Sequence, residues 1–138
     1  ADNLANMVAL LVNRYAAGPR KPLAGTLKVA PPIEYPECGL YHPRARDRVT
    51  EDLAVLPRPG SRGTVGLLLL RAYVLANNAR HYDGMIAALE AQGLNVIPAF
   101  ASGLDARPAM ERFFMRDGVP QVDAVVSLTG FSLVGGSA

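Results

Sequence analysis

The sequence predicts an α/β fold: half of a doubly wound, flavodoxin- or Rossmann-like parallel sheet in the order βαβαβ. An N-terminal helix and a Pro-rich extended segment precede it. Residues 65–70 form an almost unbroken apolar run, which is typical of a strand buried on both faces of a parallel sheet. The apolar stripe of an amphipathic helix follows at Tyr82, Met85, Ile86 and Leu89. Residues 94–100 return as a second apolar strand, so we expect a right-handed crossover with the first strand in the middle of the sheet.

The composition indicates a globular chain. Its 138 residues are 50% hydrophobic and 19% charged, which is enough for a real core. Fourteen Lys and Arg against twelve Asp and Glu leave a net charge of +2, too little to indicate nucleic acid as a partner. The single cysteine, Cys38, excludes an internal disulfide and favours a reducing, cytoplasmic compartment. No run is long enough to predict a transmembrane segment. The start without Met and the last residues G-G-S-A suggest a piece of a longer protein.

We divide the chain at two points. Residues 1–17 predict an amphipathic helix that begins at Asp2 or Asn3, and Gly18-Pro19 ends it. Its apolar stripe needs a partner surface, in this domain or elsewhere. Residues 18–63 contain many prolines and predict an extended connecting segment, with one short helix at residues 47–56.

Residues 64–138 hold the βαβαβ domain. Asn77 or Asn78 is the predicted cap of the first helix, and Gly93 its end. Asp105 is the predicted cap of the second helix, and Asp117-Gly118 its end. Residues 122–128 predict the third strand, and the Gly-containing loop 129–136 follows it.

Ligands of an open parallel sheet bind beyond the carboxyl ends of its strands. Here these ends carry residues 71–78, 101–105 and 129–136. The glycines of the last loop lack the G-x-G-x-x-G spacing, and no G-x-x-x-x-G-K-[ST] run is present. We therefore favour turn geometry over phosphate binding, and the missing phosphate loop argues against a nucleotide-binding module.

Two histidines are candidate site residues. His81, in the first turn of the central helix, is either a ligand or acid/base group or, more plainly, a histidine satisfied by local partners. His42 suits a structural turn before Pro43, and with Cys38 it gives too few ligands for zinc, so no metal site is predicted. The alternating Arg44, Arg46 and Arg48 predict a solvated face, or else a face that pairs with acidic residues of a partner domain.

Several blocks of sequence resemble one known family. Residues 35–43, Y-P-E-C-G-L-Y-H-P, resemble the Y-P-x-x-G-x-x-H-P signature of the large, porphyrin-binding H subunit family of magnesium chelatase. The related cobaltochelatase large subunits share the architecture. Further matching blocks follow in order: V-G-L-L-L-L-R, A-R-H-Y, L-E-A-Q-G-L-N-V-I-P-A-F-A-S-G-L-D and V-D-A-V-V-S-L-T-G-F-S-L-V-G-G-S-A. The resemblance covers residues 35–138, and T-G-F-S-L-V-G-G is closer to the magnesium branch. Residues 77–80 depart from a more acidic turn in the family.

The resemblance implies a subunit, much longer than this chain, on which Mg²⁺ is inserted into protoporphyrin IX. It implies ATP hydrolysis by separate ATPase subunits and a place in chlorophyll or bacteriochlorophyll biosynthesis, in the cytoplasm or peripheral to photosynthetic membranes. The implied partners are protoporphyrin IX, the ATPase subunits and the rest of the same subunit. Mg²⁺, ATP and protoporphyrin IX are then substrates of the full complex, and no cofactor is expected in this segment. No motif carries a catalytic residue onto this chain, so the segment alone is not expected to be catalytic.

The hypothesis for this segment is a structural α/β domain whose strand-end loops border the porphyrin cleft. Arg71 and His81 would pair with porphyrin propionates, Phe131 would pack on the macrocycle, and Thr129 lies in the same loop. One alternative is a docking domain for the ATPase subunits that does not touch porphyrin. Another is a domain of a cobaltochelatase large subunit.

Overall fold

The computed structural model describes residues 2–130, which divide between Tyr35 and Pro36 into two compact units. The first unit begins with helix α1 (Asp2–Tyr15), and a 3₁₀ helix follows at Gly18–Leu23. Gly18 lies three residues after the end of α1 and has a φ of +58°, the left-handed conformation that glycine adopts easily. No residue of α1 is buried, and most of its large apolar side chains are exposed.

The first unit is held together by asparagines of α1. Asn3 and Asn13 each form two hydrogen bonds with one backbone residue: Asn3 with Ile33 (both 2.8 Å) and Asn13 with Leu27 (2.7 and 2.9 Å). Between them, Asn6 Oδ1 accepts the backbone N–H of Ala30 at 3.2 Å. We call this set of contacts the asparagine clasp. It fastens the extended chain at residues 27–33 along α1 by satisfying backbone groups that have no strand partner.

The second unit contains, in chain order, β1 (Cys38–Tyr41), β2 (Val49–Thr50), β3 (Thr64–Leu70), α2 (Arg71–Leu75), α3 (Arg80–Ala91), β4 (Asn95–Ala101), α4 (Arg107–Phe113), β5 (Met115–Arg116), β6 (Val119–Pro120) and β7 (Ala124–Ser127). It is built on a five-stranded sheet of order β2-β1-β4-β3-β7, with a separate β5–β6 hairpin. Strand β3 lies between β4 and β7 and is parallel to both, whereas β1 is antiparallel to β4 and to β2. The prediction that the first strand of the βαβαβ unit lies in the middle is confirmed.

Helices α3 and α4 cover opposite faces of the sheet, and this explains why β3 is apolar at nearly every position. Its residues Leu67 and Leu69 belong to the core with Tyr82 and Ile86 of α3. Leu68 belongs to the second core, with Phe113 of α4. A strand buried on both faces cannot alternate polar and apolar residues.

Phe114, directly after α4, sets a tight contact with β3. A Cβ atom placed on Gly66 would lie 2.7 Å from the ring of Phe114, which is itself 1% exposed. Glycine at this position lets the ring reach the backbone of β3.

The segment 18–63 contains more regular structure than its prolines predict, because residues 38–41 and 49–50 join the sheet as β1 and β2. The short helix expected at residues 47–56 is wrong. Asp52 accepts the backbone N–H of Ala54, and only Leu53–Val55 turn, as a 3₁₀ helix. Val49 and Thr50 pair with β1 as a strand, and this pairing outweighs the helical apolar pattern of residues 47–56.

Three details of the helix ends also differ from the predictions. Helix α3 has Ala79 at its N-cap and no side-chain cap, so neither Asn77 nor Asn78 caps it, although Gly93 does follow its end with φ +80°. Asp105 lies one residue before the N-cap of α4, and its Oδ1 accepts the Arg107 N–H at 3.0 Å. The pair Asp117-Gly118 forms the turn of the β5–β6 hairpin instead of ending a helix. Across residues 2–130, no helix is both long and apolar enough to cross a membrane.

Candidate functional site

The carboxyl ends of β3, β4 and β7 meet at one edge of the sheet. In the parallel register Leu70 is opposite Ala101 and Leu68 is opposite Ser127, so residues 71, 102 and 128–129 leave the sheet side by side. A small pocket at this edge is lined by residues of all three strand ends, including Leu70, Gly103, Asp105 and Thr129. This edge is where a doubly wound sheet binds ligands, and we call it the carboxyl edge.

Arg71 is the first residue of α2 and follows β3 directly. Its Nε donates a hydrogen bond to the carbonyl oxygen of Pro36 at 2.9 Å, and the side chain is half-buried. Because β1 runs antiparallel to β4, the chain enters β1 at this edge. Arg71 therefore fixes the entry into β1 and places a permanent cation at the carboxyl edge.

Cys38 begins β1 beside that cation. Burial raises the pKa of the Cys38 thiol, and the positive charges of Arg112 and Arg71 act against this shift. The thiol therefore stays protonated at neutral pH and is a poor nucleophile.

His81 lies in the first turn of α3, exposed to solvent, within a small group of rings. Its ring centroid is 5.5 Å from that of Tyr73 in α2, with perpendicular planes, and 3.9 Å from that of Tyr82. Tyr82 is buried, and its hydroxyl accepts the backbone N–H of Leu70 at 3.1 Å. The ring of Tyr82 thus anchors the His81 and Tyr73 pair to the end of β3.

Thr129 follows β7, and its Oγ1 lies 2.9 Å from Oγ of Ser127. Gly130 has φ +76°, which a turn requires and which fits the interpretation of this glycine as a turn residue. The structure thus brings Arg71 and Thr129 to the ends of neighbouring strands. His81 stands one helix further on, beside Tyr73, and Phe131 lies outside the described residues.

Tyr73 is the residue of this edge that the sequence did not single out. It lies in residues 71–78, which were predicted as a loop, but α2 turns its ring onto His81. The five-residue α2 is too short to show an apolar period, so no sequence signal pointed to it.

The family profile described as CobN/Magnesium Chelatase matches residues 1–138. The chain belongs to the CobN/magnesium chelatase family. It is 53% identical to the magnesium-chelatase H subunit of Cereibacter sphaeroides and 49% identical to that of Rhodobacter capsulatus, over 99% of this chain in both cases. The chain spans 11% of the length of each of these relatives.

A solved structure has a similar fold. The catalytic subunit of cobaltochelatase from Mycobacterium tuberculosis superposes with a TM-score of 0.56 and 23% identity. The match covers 91% of this chain and 9% of that subunit. The α/β architecture is therefore that of a CobN/magnesium chelatase domain.

The run that carries the family resemblance, up to Pro43, supplies a polar network that sequence reasoning missed. The Tyr41 hydroxyl donates to Asp83 Oδ1 of α3 at 2.6 Å and accepts a hydrogen bond from the guanidinium of Arg48. Arg48 also donates to Asn77 Oδ1 at 3.0 Å and lies 3.5 Å from Asp83 Oδ2. Burial, followed by the bond to Asp83, raises the pKa of Tyr41. The network joins β1 to the turn in front of α3, which presents His81.

His42 is completely buried in this CobN/magnesium chelatase chain. Its Nδ1 accepts the Arg44 backbone N–H at 3.1 Å, so the ring proton is on Nε2, 3.2 Å from Glu90 Oε1. Arg44 donates to the other Glu90 oxygen at 2.6 Å. His42 is thus a satisfied structural histidine. Within residues 2–130, no group of three or more His, Cys, Asp or Glu side chains could hold a metal ion.

The alternating arginines form neither a fully solvated face nor a face that pairs with another domain, because two of them pair within the second unit. Arg44 and Arg48 pair with Glu90 and Asp83 of α3, whereas Arg46 is exposed. The alternation was the signal for this network, but the acceptors lie more than thirty residues further along the chain. Only the fold brings them together.

Proposed function

We propose that this chain is a segment of the porphyrin-binding subunit of a magnesium chelatase, an enzyme complex that inserts Mg²⁺ into protoporphyrin IX. The observation that carries the proposal is the 53% identity to a magnesium-chelatase H subunit along 99% of the chain. On the same proposal, separate ATPase subunits supply the energy from ATP, and the reaction belongs to chlorophyll or bacteriochlorophyll biosynthesis. The complex works in the cytoplasm, peripheral to photosynthetic membranes. The relatives from Cereibacter sphaeroides and Rhodobacter capsulatus both bear the magnesium-chelatase name, which favours Mg²⁺ over Co²⁺ as the inserted metal.

Within that subunit, the carboxyl edge borders the porphyrin. The two propionates of protoporphyrin IX need cationic or hydrogen-bonding partners, and its flat macrocycle needs an apolar or aromatic surface. Arg71 supplies a permanent cation, and Thr129 supplies a hydroxyl at the neighbouring strand end. His81 supplies an imidazole, and Tyr73, 42% exposed, supplies a ring beside it.

The pocket at this edge is small, so the porphyrin lies across the edge and other parts of the long subunit cover its far side. This segment binds and orients the porphyrin, and it contributes no catalytic residue. The groups that accept the pyrrole protons and deliver Mg²⁺ belong to other parts of the subunit.

A fluorescence titration with a soluble porphyrin tests this role. We expect saturable quenching of porphyrin emission by the folded 138-residue chain, with folding checked by circular dichroism. Replacing Arg71 or His81 by Ala should raise the dissociation constant at least about fivefold, because each removes one hydrogen-bonding partner of a propionate. Arg20→Ala, an exposed arginine of the first unit, is the matched control and should bind as the parent does. Unchanged affinity in both test variants would exclude the carboxyl edge as a porphyrin contact.

A second candidate role, docking of the ATPase subunits, is supported by the exposed apolar residues of α1. Helix α1 exposes Leu4, Met7 and Val8 by half or more of their surface, as an interaction surface does. The segment would then dock the ATPase subunits without touching porphyrin. Capture of those subunits by a folded chain that does not quench porphyrin emission, with the capture lost in a Leu4→Gln/Val8→Gln variant, would favour this role over the first.

A further inference from the structure

A second concave surface lies at the opposite edge of the sheet, beside the amino end of β3. It has a volume of about 330 Å³ and lies between the sheet, the end of α4 and the β5–β6 hairpin. Ile97 of β4 and Phe113 of α4 provide apolar lining. Three arginines also line it: Arg58, Arg112 and Arg116. We call it the arginine pocket.

The charge of the arginine pocket has one sign. Its described lining contains three arginines and no acidic residue, although the whole sequence carries a net charge of only +2. The polar lining residues Thr64 and Gln121 are uncharged. Glu51 does not line the pocket but pairs with Arg112, so Arg58 and Arg116 carry the positive charge that a bound anion would offset.

The three arginines differ in how firmly they are held. Arg112 Nη1 lies 2.7 Å from Glu51 Oε1, and its guanidinium carbon lies 5.1 Å from the ring centroid of Phe113. Arg112 is therefore fixed over the apolar lining by an ion pair and a cation–π contact. Within residues 2–130, neither Arg58 nor Arg116 forms an ion pair, so their guanidinium groups remain available to a ligand.

We propose that the arginine pocket binds a compact, multiply charged anion of the pyrophosphate or citrate class. A guanidinium presents paired N–H donors that match two oxygens of a phosphate or carboxylate. The volume is in the range of small-molecule sites, and the apolar lining excludes water from one side of the ligand. Arg58 and Arg116 grip the anion while Arg112 adds a fixed charge. The site lies at the other edge of the sheet from the carboxyl edge and does not depend on porphyrin binding there.

Isothermal titration calorimetry tests the proposal. The 138-residue chain is titrated with inorganic pyrophosphate and, separately, with citrate. We expect saturable binding of at least one anion, weakened by added salt. Tighter binding of pyrophosphate would assign the site to phosphoryl groups, and tighter binding of citrate to carboxylates. Arg58→Gln and Arg116→Gln should each raise the dissociation constant about tenfold, because each removes a charge-assisted pair of hydrogen bonds.

Arg46→Gln is the matched control, since Arg46 is also exposed but does not line the pocket. It should leave the affinity unchanged. Absence of saturable binding, or equal losses in all three variants, would overturn the proposal. So would a polyglutamate peptide that binds more tightly than both small anions, because the surface would then belong to an acidic protein partner. Porphyrin binding is measured separately, so failure of one proposal leaves the other standing.

Discussion

Tyr41 shows how one hydroxyl can join elements far apart in the sequence. It donates to Asp83 and accepts from Arg48, so it lies between a carboxylate and a cation. Arg48 is held there with φ +58°, a backbone conformation that costs energy in a non-glycine residue. The hydrogen bonds of its side chain offset that cost.

Tyr41→Phe should therefore lower the free energy of unfolding by about 1–2 kcal/mol, because the partly buried hydrogen bond to Asp83 is lost and Arg48 loses an acceptor. Urea denaturation followed by circular dichroism measures the change. Tyr15→Phe, at a ring that is 68% exposed, should change the stability by less than about 0.5 kcal/mol. Equal stability of the two variants would show that the Tyr41 hydroxyl contributes nothing to the free energy of unfolding.

At the scale of elements, the contact between β3 and the chain after α4 depends on one missing side chain. Gly66→Ala should destabilise the protein by about 1–3 kcal/mol, because the new methyl group overlaps the buried ring of Phe114. Gly84→Ala is the matched control in α3, where a Cβ atom would meet nothing within 4 Å. It should be neutral or stabilise by up to about 1 kcal/mol, since alanine favours helix. Thermal unfolding of both variants measures whether their changes in stability have opposite signs. A neutral Gly66→Ala would mean that Phe114 moves aside freely.

The asparagine clasp makes a separate prediction for the first unit. Asn13→Ala removes both hydrogen bonds to Leu27, so the Leu27 amide should exchange its hydrogen at least about fivefold faster. Hydrogen exchange followed by NMR measures this rate. In Arg14→Ala, which changes the next residue of α1 but not the clasp, the Leu27 rate should stay as in the parent.

Long periodic elements could be predicted from the sequence, whereas short ones could not. Strands β3 and β4 and helix α3 have apolar patterns that fix their type without tertiary information. Strands β1 and β2 are four and two residues long and exist because they pair with β4 and with each other. The asparagine clasp was missed for a similar reason, since its bonds span 14 to 30 residues.

The same division holds for the candidate site. The predicted strand order was enough to place Arg71 and Thr129 at one edge of the sheet, because the carboxyl ends of parallel strands lie at the same edge. The partners of His81 and Arg48 depend on how α2 and α3 are packed, and no local pattern encodes that. Whether these residues bind porphyrin stays a prediction.

For the whole molecule, two buried phenols and one half-buried thiol give the free energy of unfolding the same dependence on pH. Burial is the first cause that raises the pKa of Cys38, Tyr41 and Tyr82 in the folded chain. Each group keeps its proton more tightly when folded than when unfolded. Their contribution is therefore fully present below the unfolded pKa values, near 9 for the thiol and 10 for the phenols, and is lost as pH rises through the folded values.

Urea midpoints measured between about pH 8 and pH 11 should accordingly fall as the pH rises. A Cys38→Ser/Tyr41→Phe variant removes two of the three groups, so its midpoint should fall less over the same interval. A parent midpoint that stays level above about pH 9 would contradict the burial of these groups.

The asparagine clasp also decides which substitutions the first unit can absorb. Each of its contacts ends on a main-chain N–H or carbonyl, so α1 grips the extended chain without reading the side chains of Leu27, Ala30 or Ile33. These positions recur every three residues, and another non-proline residue there can form the same main-chain hydrogen bonds to α1. The exposed side chains of residues 27–33 can therefore change in chemistry while the main-chain hydrogen bonds to α1 stay the same.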